Sequence, residues 1–211
     1  VGEDLIVAYL ARIIGLTKIT YLDIGAFHPI ALSNTFAFYQ QGHRGVCIEP
    51  DPVRSANIAK TRPNDTVLNI GIGIDTQSDA EFYVMTSADL CTFSREEAER
   101  LTKFGQKIER VVNVPLRTIN SVMAEHFDPW PNFVSMDIEG LDLAVLRTFD
   151  FARFRPEIFC IETLDSRTQR EKDRDIHSLM ASVGYEVFAD TFINTIFVRS
   201  ELLKCLDTTT E

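Results

Sequence analysis

Short, nearly unbroken apolar runs alternate along this chain with amphipathic segments of helical period. Runs at 19–24, 44–49, 66–74, 133–138 and 156–162 read as strands buried on both faces. Between them, residues 3–15, 36–41, 52–61, 119–127, 141–149 and 166–183 carry helical patterns. The punctuation agrees. Gly15 stands where a helix C-terminus needs a left-handed residue, Ser33-Asn34-Thr35 offers an N-terminal cap, and Gly42 stops the helix it opens. This alternation predicts an α/β parallel sheet covered on both faces, a three-layer sandwich.

The rhythm breaks over residues 75–118, where short strands at 81–85 and 111–116 flank a charged helical stretch, 94–104. That stretch reads as a solvated surface helix or as a lid, since long excursions within compact domains are often functional. The chain closes with strands at 185–189 and 194–198. The link between them is too short for a crossover helix, so the pair is expected to form an antiparallel hairpin. Three parts are expected: an N-terminal helix (1–18), one domain (19–200, with 75–118 inserted) and a tail (201–211).

Composition narrows the function. The 211 residues suffice for one well-cored domain. A net charge of −10 argues against a nucleic-acid partner, which needs Lys and Arg to neutralise phosphates, and against an anionic membrane surface. No apolar stretch reaches the ~18–20 residues that span a bilayer, so membrane insertion is not expected. Cys47, Cys91, Cys160 and Cys205 are widely spaced with no Cys-x-x-Cys pair, a pattern that suits a reducing cytoplasm. No signal-peptide pattern is evident, and the chain begins at Val1, which leaves an upstream segment open. Oligomeric state has no signal in the sequence.

The candidate chemistry lies just past the strand ends, where open α/β sheets bind ligands. Asp23 precedes Gly25 at the first strand's end, and a carboxylate there suits a cationic ligand group but repels a pyrophosphate. The full Gly-x-Gly-x-x-Gly is absent, because Ala26-Phe27-His28-Pro29 stands where further glycines belong. Glu49 ends the second strand, 24 residues after Gly25, close to the spacing at which an acid accepts hydrogen bonds from ribose hydroxyls, a match that does not separate the two cofactors. Asn69 and Gly71, at the end of the third run, could meet an adenine through an amide or backbone group, although a bulge would use the glycines there equally well. The segment Met136-Asp137-Ile138-Glu139-Gly140 puts two acids at a strand end, and buried carboxylates call for a ligand or a cation. Asp137 could contact the cofactor or the substrate, and Glu139 could act as general base. The two could also hold a divalent metal with Asp142 or Glu162, a less favoured reading because no histidine accompanies the acids. His28, in the first loop, is a second candidate for moving a proton, against the plainer role of ordering that loop. Together these features favour S-adenosylmethionine over a dinucleotide.

These segments resemble the FkbM family of S-adenosylmethionine-dependent methyltransferases over about residues 19–198. The matching pieces are Tyr21-Leu-Asp-Ile-Gly-Ala26 with Ser33-Asn34-Thr35, the run 38–49 ending in Glu49, Leu90-Cys-Thr-Phe-Ser94, Val134 to Asp142, and Arg155 to Glu162. The resemblance implies a class I, Rossmann-like fold with a mostly parallel seven-stranded sheet and a C-terminal antiparallel hairpin. It implies methyl transfer to an oxygen, commonly a hydroxyl of a sugar, glycan or polyketide. Asp23, Gly25 and Ala26 would serve the methionine end, Glu49 the ribose, and Asp137 and Glu139 the methyl-transfer end, with Ser33 and Asn34 also counted among the cofactor-binding residues. Pro29 stands where relatives in the broader superfamily carry a second glycine. The expected partner is a small-molecule or glycan acceptor. The competing readings are a catalytically silent nucleoside- or glycan-binding module and, more distantly, a nicotinamide-dependent enzyme.

Overall fold

A computed structural model describes residues 2–75, 78–87, 90–138, 140–164 and 171–207, the last four of these as backbone only. The main sheet contains β1 (Thr20–Ile24), β2 (Arg44–Ile48), β3 (Thr66–Leu68), β7 (Phe133–Met136), β8 (Ile158–Glu162), β9 (Tyr185–Asp190) and β10 (Asn194–Arg199). Its seven strands run in the order β3-β2-β1-β7-β8-β10-β9. All pairs are parallel as far as β8, and β10 then lies antiparallel to both β8 and β9. The expected closing hairpin is therefore present, and the sheet has the class I methyltransferase arrangement.

Alternating strand residues explain the layers. Leu22, Ile24, Val46, Ile48, Val134 and Phe159 face helices α5 (Ile119–His126), α6 (Asp142–Thr148) and α7 (Arg174–Ser182). Tyr21, Cys47, Phe133, Ile158 and Cys160 face α1 (Glu3–Ile13), α2 (Phe36–Gln40) and α3 (Pro52–Thr61), joined by Leu202 and Leu203 of α8 (Ser200–Asp207). Local chemistry sets the helix starts. Asp51 caps α3 by accepting from the Val53 N–H at 2.9 Å, with Pro52 at the first helical position, where its missing N–H costs nothing.

The expected third strand over 66–74 is two strands in different sheets. β3 pairs with β2, whereas β4 (Gly71–Gly73) pairs with β6 (Ile108–Thr118), which also pairs with β5 (Asp79–Met85). Asn69 marks the break: its amide donates to the Glu49 and Pro50 carbonyls at 2.9 and 2.8 Å, pulling the chain toward the end of β2. The small sheet packs α4 (Arg95–Thr102) on a core of its own, with Phe82, Val84, Ala98, Leu101 and Val114. Residues 165–170, the start of the expected 166–183 helix, lie outside the described residues, and α7 begins at Arg174. Among the described residues no helix is long and apolar enough to cross a membrane.

Candidate active site at the carboxyl edge of the sheet

The ends of β1, β2 and β7 are stitched together through backbone. Gly25 and Ala26 donate their N–H groups to the Ile48 carbonyl at 3.1 and 3.0 Å, and Asp137 donates to Ile24 at 3.1 Å. Gly25 has φ +79°, and a Cβ there would stand 2.0 Å from the Asp137 carbonyl oxygen. Glycine is thus required twice, for its backbone conformation and for the approach of the next strand's loop. This brings Asp23, Glu49 and Asp137 to one edge on three adjacent strands.

The three acids differ in environment. Asp23 is buried, accepts a hydrogen bond from the Thr35 hydroxyl and lies 3.9 Å from the Arg62 guanidinium. Burial pushes its carboxyl up, opposed by Arg62 and Thr35. The side chain is engaged beneath the first loop. Glu49 is 2% exposed, and its oxygens accept from the Phe27 and Asp51 N–H groups at 2.8 and 2.9 Å. Burial also raises its carboxyl, with those N–H groups working the other way. Each carboxylate oxygen has a second lone pair, so Glu49 keeps capacity for two more donors. Asp137 is exposed, and a ligand at this edge can reach it. Its carboxyl is nonetheless held above the ordinary range, chiefly by the protein packed around it, while a hydrogen bond with Glu162 at the end of β8 acts in the opposite direction. Exposure decides its availability; the shift says that its surroundings solvate charge poorly.

Asp142, buried at the start of α6, is pushed up to about 7 by burial first and by the Asp137 charge second, against N–H groups of Asp142, Ile138 and Gly140. Glu139 lies outside the described residues. Among the described residues no group of three or more His, Cys, Asp or Glu is placed to hold a metal ion.

The first loop, 26–35, closes the edge. Phe27 and Leu32 hold φ of 51° and 60°, the left-handed region, which costs a non-glycine residue ~1–2 kcal/mol and persists only where neighbours enforce it. The Phe27 N–H is held by Glu49, and the Arg54 guanidinium sits 4.8 Å from the Phe27 ring centre. His28 Nδ1 accepts from the Ile30 and Ala31 N–H groups at 3.1 and 2.8 Å. That network assigns the neutral ring's proton to Nε2 and gives His28 a loop-ordering contact. Ser33 Oγ accepts from the Thr35 and Phe36 N–H groups at 3.3 and 3.1 Å, opening α2. Asn34 reaches across to Ser135 Oγ at 3.1 Å and Cys160 Sγ at 3.7 Å. Gly71 packs inside the small sheet: a Cβ there would lie 2.5 Å from Phe93 Cζ and 2.7 Å from Leu116 Cδ2.

The sequence reading missed Arg62 and Thr35, both fully buried behind Asp23. Thr35 stood inside a matched motif but read as a helix start; Arg62, at a helix end before Pro63, drew no reading of its own. A second missed link is the Asp51–Arg110 pair, with both oxygens 2.6 Å from Nη2, tying the small sheet to the loop after β2.

A family model described as the methyltransferase FkbM domain matches residues 23–187. No curated protein sequence matches the chain. In shape it is similar to magnesium protoporphyrin IX methyltransferase from Synechocystis with bound SAM (12% identity, TM-score 0.46, 94% of this chain and 78% of that one). It is also similar to an O-methyltransferase from Bacillus cereus in complex with SAH (12% identity, TM-score 0.47, covering 94% and 80%). A TehB-like SAM-dependent methyltransferase from Corynebacterium glutamicum gives 11% identity and a TM-score of 0.47, covering 94% and 87%. The family match spans most of the chain and contains all three acidic strand ends, so this protein belongs to the FkbM methyltransferase family and is an S-adenosylmethionine-dependent methyltransferase.

Proposed function

We propose that the chain transfers a methyl group to a hydroxyl oxygen, on a sugar, glycan or related natural product, at the carboxyl edge of β1, β2 and β7. The observation that carries this reading is the convergence of Asp23, Glu49 and Asp137 on that edge, with Asp137 open to solvent. The donor set fits the cofactor's chemistry. Carboxylates suit a nucleoside whose ribose hydroxyls donate and whose amino acid end carries an ammonium, and they would repel a pyrophosphate.

Glu49 binds the ribose through its two free lone pairs, and the Gly25 turn lets backbone approach the methionine end. Asp23 acts mainly from behind the loop, through Thr35. When bound, S-adenosylmethionine supplies an activated methyl on a positively charged sulfur. The protein's remaining tasks are to align the acceptor oxygen and take its proton. Asp137 is suited to hold the acceptor hydroxyl, since it is exposed and its surroundings favour taking up a proton. Glu139, two residues on, is our candidate for the base itself. His28 is the weaker candidate, because its Nδ1 is committed to backbone.

Labelled methyl transfer into a panel of sugars, glycans, hydroxylated lipids and extracts tests the proposal. An O-methyl product supports it. A product methylated on nitrogen or carbon overturns the oxygen assignment, and binding without transfer to any acceptor favours the silent module.

A further inference from the structure

We infer that Arg62 is the positioning residue for cofactor binding: it touches no ligand and instead fixes the path of the 26–35 loop through Thr35, Ser33 and Asp23. This rests on the proposed site.

Arg62 stands at the C-terminal end of α3 and is 0% exposed. Such a cation is tolerated only if its donors are satisfied and its charge is balanced. Asp65 supplies the balance, with Oδ2 2.9 Å from Nε and 2.8 Å from Nη2. Asp65 is itself fixed by the Tyr21 hydroxyl, at 2.7 and 2.8 Å from its two oxygens, and by the Gly45 N–H at 3.0 Å. The Arg62–Asp65 pair is thereby anchored to β1 and β2, the rigid part of the fold.

Nη2 also donates to the Tyr21 hydroxyl at 3.0 Å, and the guanidinium's other contacts point at the loop. Nη2 donates to Thr35 Oγ1 at 3.0 Å, and the Thr35 hydroxyl in turn donates a hydrogen bond to Asp23; Nη1 reaches Ser33 Oγ at 3.4 Å and lies 3.9 Å from Asp23. The planar guanidinium thus joins sheet, helix and loop in one fixed fork, which an ammonium cannot reproduce. The loop needs such a clamp because Phe27 and Leu32 are held in the left-handed region. Glu49 holds its first turn through Phe27, and Arg62 holds its last through Ser33 and Thr35. Releasing the second clamp lets the loop relax and costs pre-organisation for whatever binds there.

The test measures S-adenosylmethionine Kd by calorimetry in wild type, Arg62→Met, Arg62→Lys and Thr35→Val, alongside thermal stability and proteolytic cleavage within 26–35. Thr35→Val keeps shape and leaves the Arg62–Asp65 pair intact, so it stays informative if Arg62→Met fails to fold. The expected result is a Kd raised at least 10-fold in Thr35→Val and Arg62→Met, less in Arg62→Lys, with faster cleavage in the loop. At saturating cofactor the acceptor KM should stay within about threefold of wild type, a split that general destabilisation would not produce. Folded variants that bind like wild type overturn the inference and leave the proposed function standing. A wild-type chain that does not bind at all overturns the proposed function.

Discussion

Gly25→Ala separates two costs that the structure assigns to one residue. At φ +79° an alanine is in the left-handed region, a penalty of ~1–2 kcal/mol. Its Cβ would also stand 2.0 Å from the Asp137 carbonyl, forcing backbone apart at a typical overpacking cost of ~1–3 kcal/mol. Gly42 supplies the control, because it has φ +91° and nothing within 4 Å of its Cβ position. Gly42→Ala should therefore lose only the dihedral cost, ~1–2 kcal/mol, and Gly25→Ala the sum, ~2–5 kcal/mol. Urea titrations at fixed pH with linear extrapolation measure both. Gly25→Ala should also weaken S-adenosylmethionine binding, and Gly42→Ala should not. Equal losses from the two variants would refute the argument that β1 and the loop after β7 meet backbone to backbone at Gly25.

Asp142 gives a pH signature. Its folded carboxyl titrates at about 7, above an unfolded value near 4, so the native state binds the extra proton and stability falls as pH rises from ~4 to ~7. Asp142→Asn should remove that slope and gain stability relative to wild type across the same window, with a ceiling of ~4 kcal/mol; denaturation at pH 5 and pH 8 checks it, and a parallel pair of curves would contradict it. Glu49→Gln should raise the S-adenosylmethionine Kd by ~10- to 100-fold, the worth of hydrogen bonds to a charged acceptor, as read by calorimetry. His28→Ala should leave the turnover rate within about fivefold of wild type, because Nδ1 is spent on the Ile30 and Ala31 N–H groups; a loss of several hundredfold would restore it as a base.

The sequence was most legible where local chemistry and tertiary structure agree. The α3 limits follow from Asp51, Pro52 and the helical period, and the closing hairpin follows from the short link between two apolar runs. The 66–74 run failed because its apolar pattern continues across a change of sheet: what breaks it is Asn69 bonding to the β2 loop and Gly71 making room for Phe93 and Leu116. β6 spans Ile108–Thr118, longer at both ends than the expected 111–116, because it pairs with β5 from Ile108 and with β4 as far as Thr118. At the site, the acids past the strand ends were readable because their positions follow from strand direction alone. Which way they turn was not. Asp23 facing inward depends on Arg62 and Thr35, partners distant in sequence whose types carry no local pattern.

A crystal structure with S-adenosylhomocysteine tests the central claim most directly. The nucleoside should lie across the ends of β1, β2 and β7, its ribose within hydrogen-bond reach of Glu49 and its sulfur on the side of Asp137. Density for the nucleoside at any other edge of the sheet, or none in a crystal grown at saturating ligand, would contradict it.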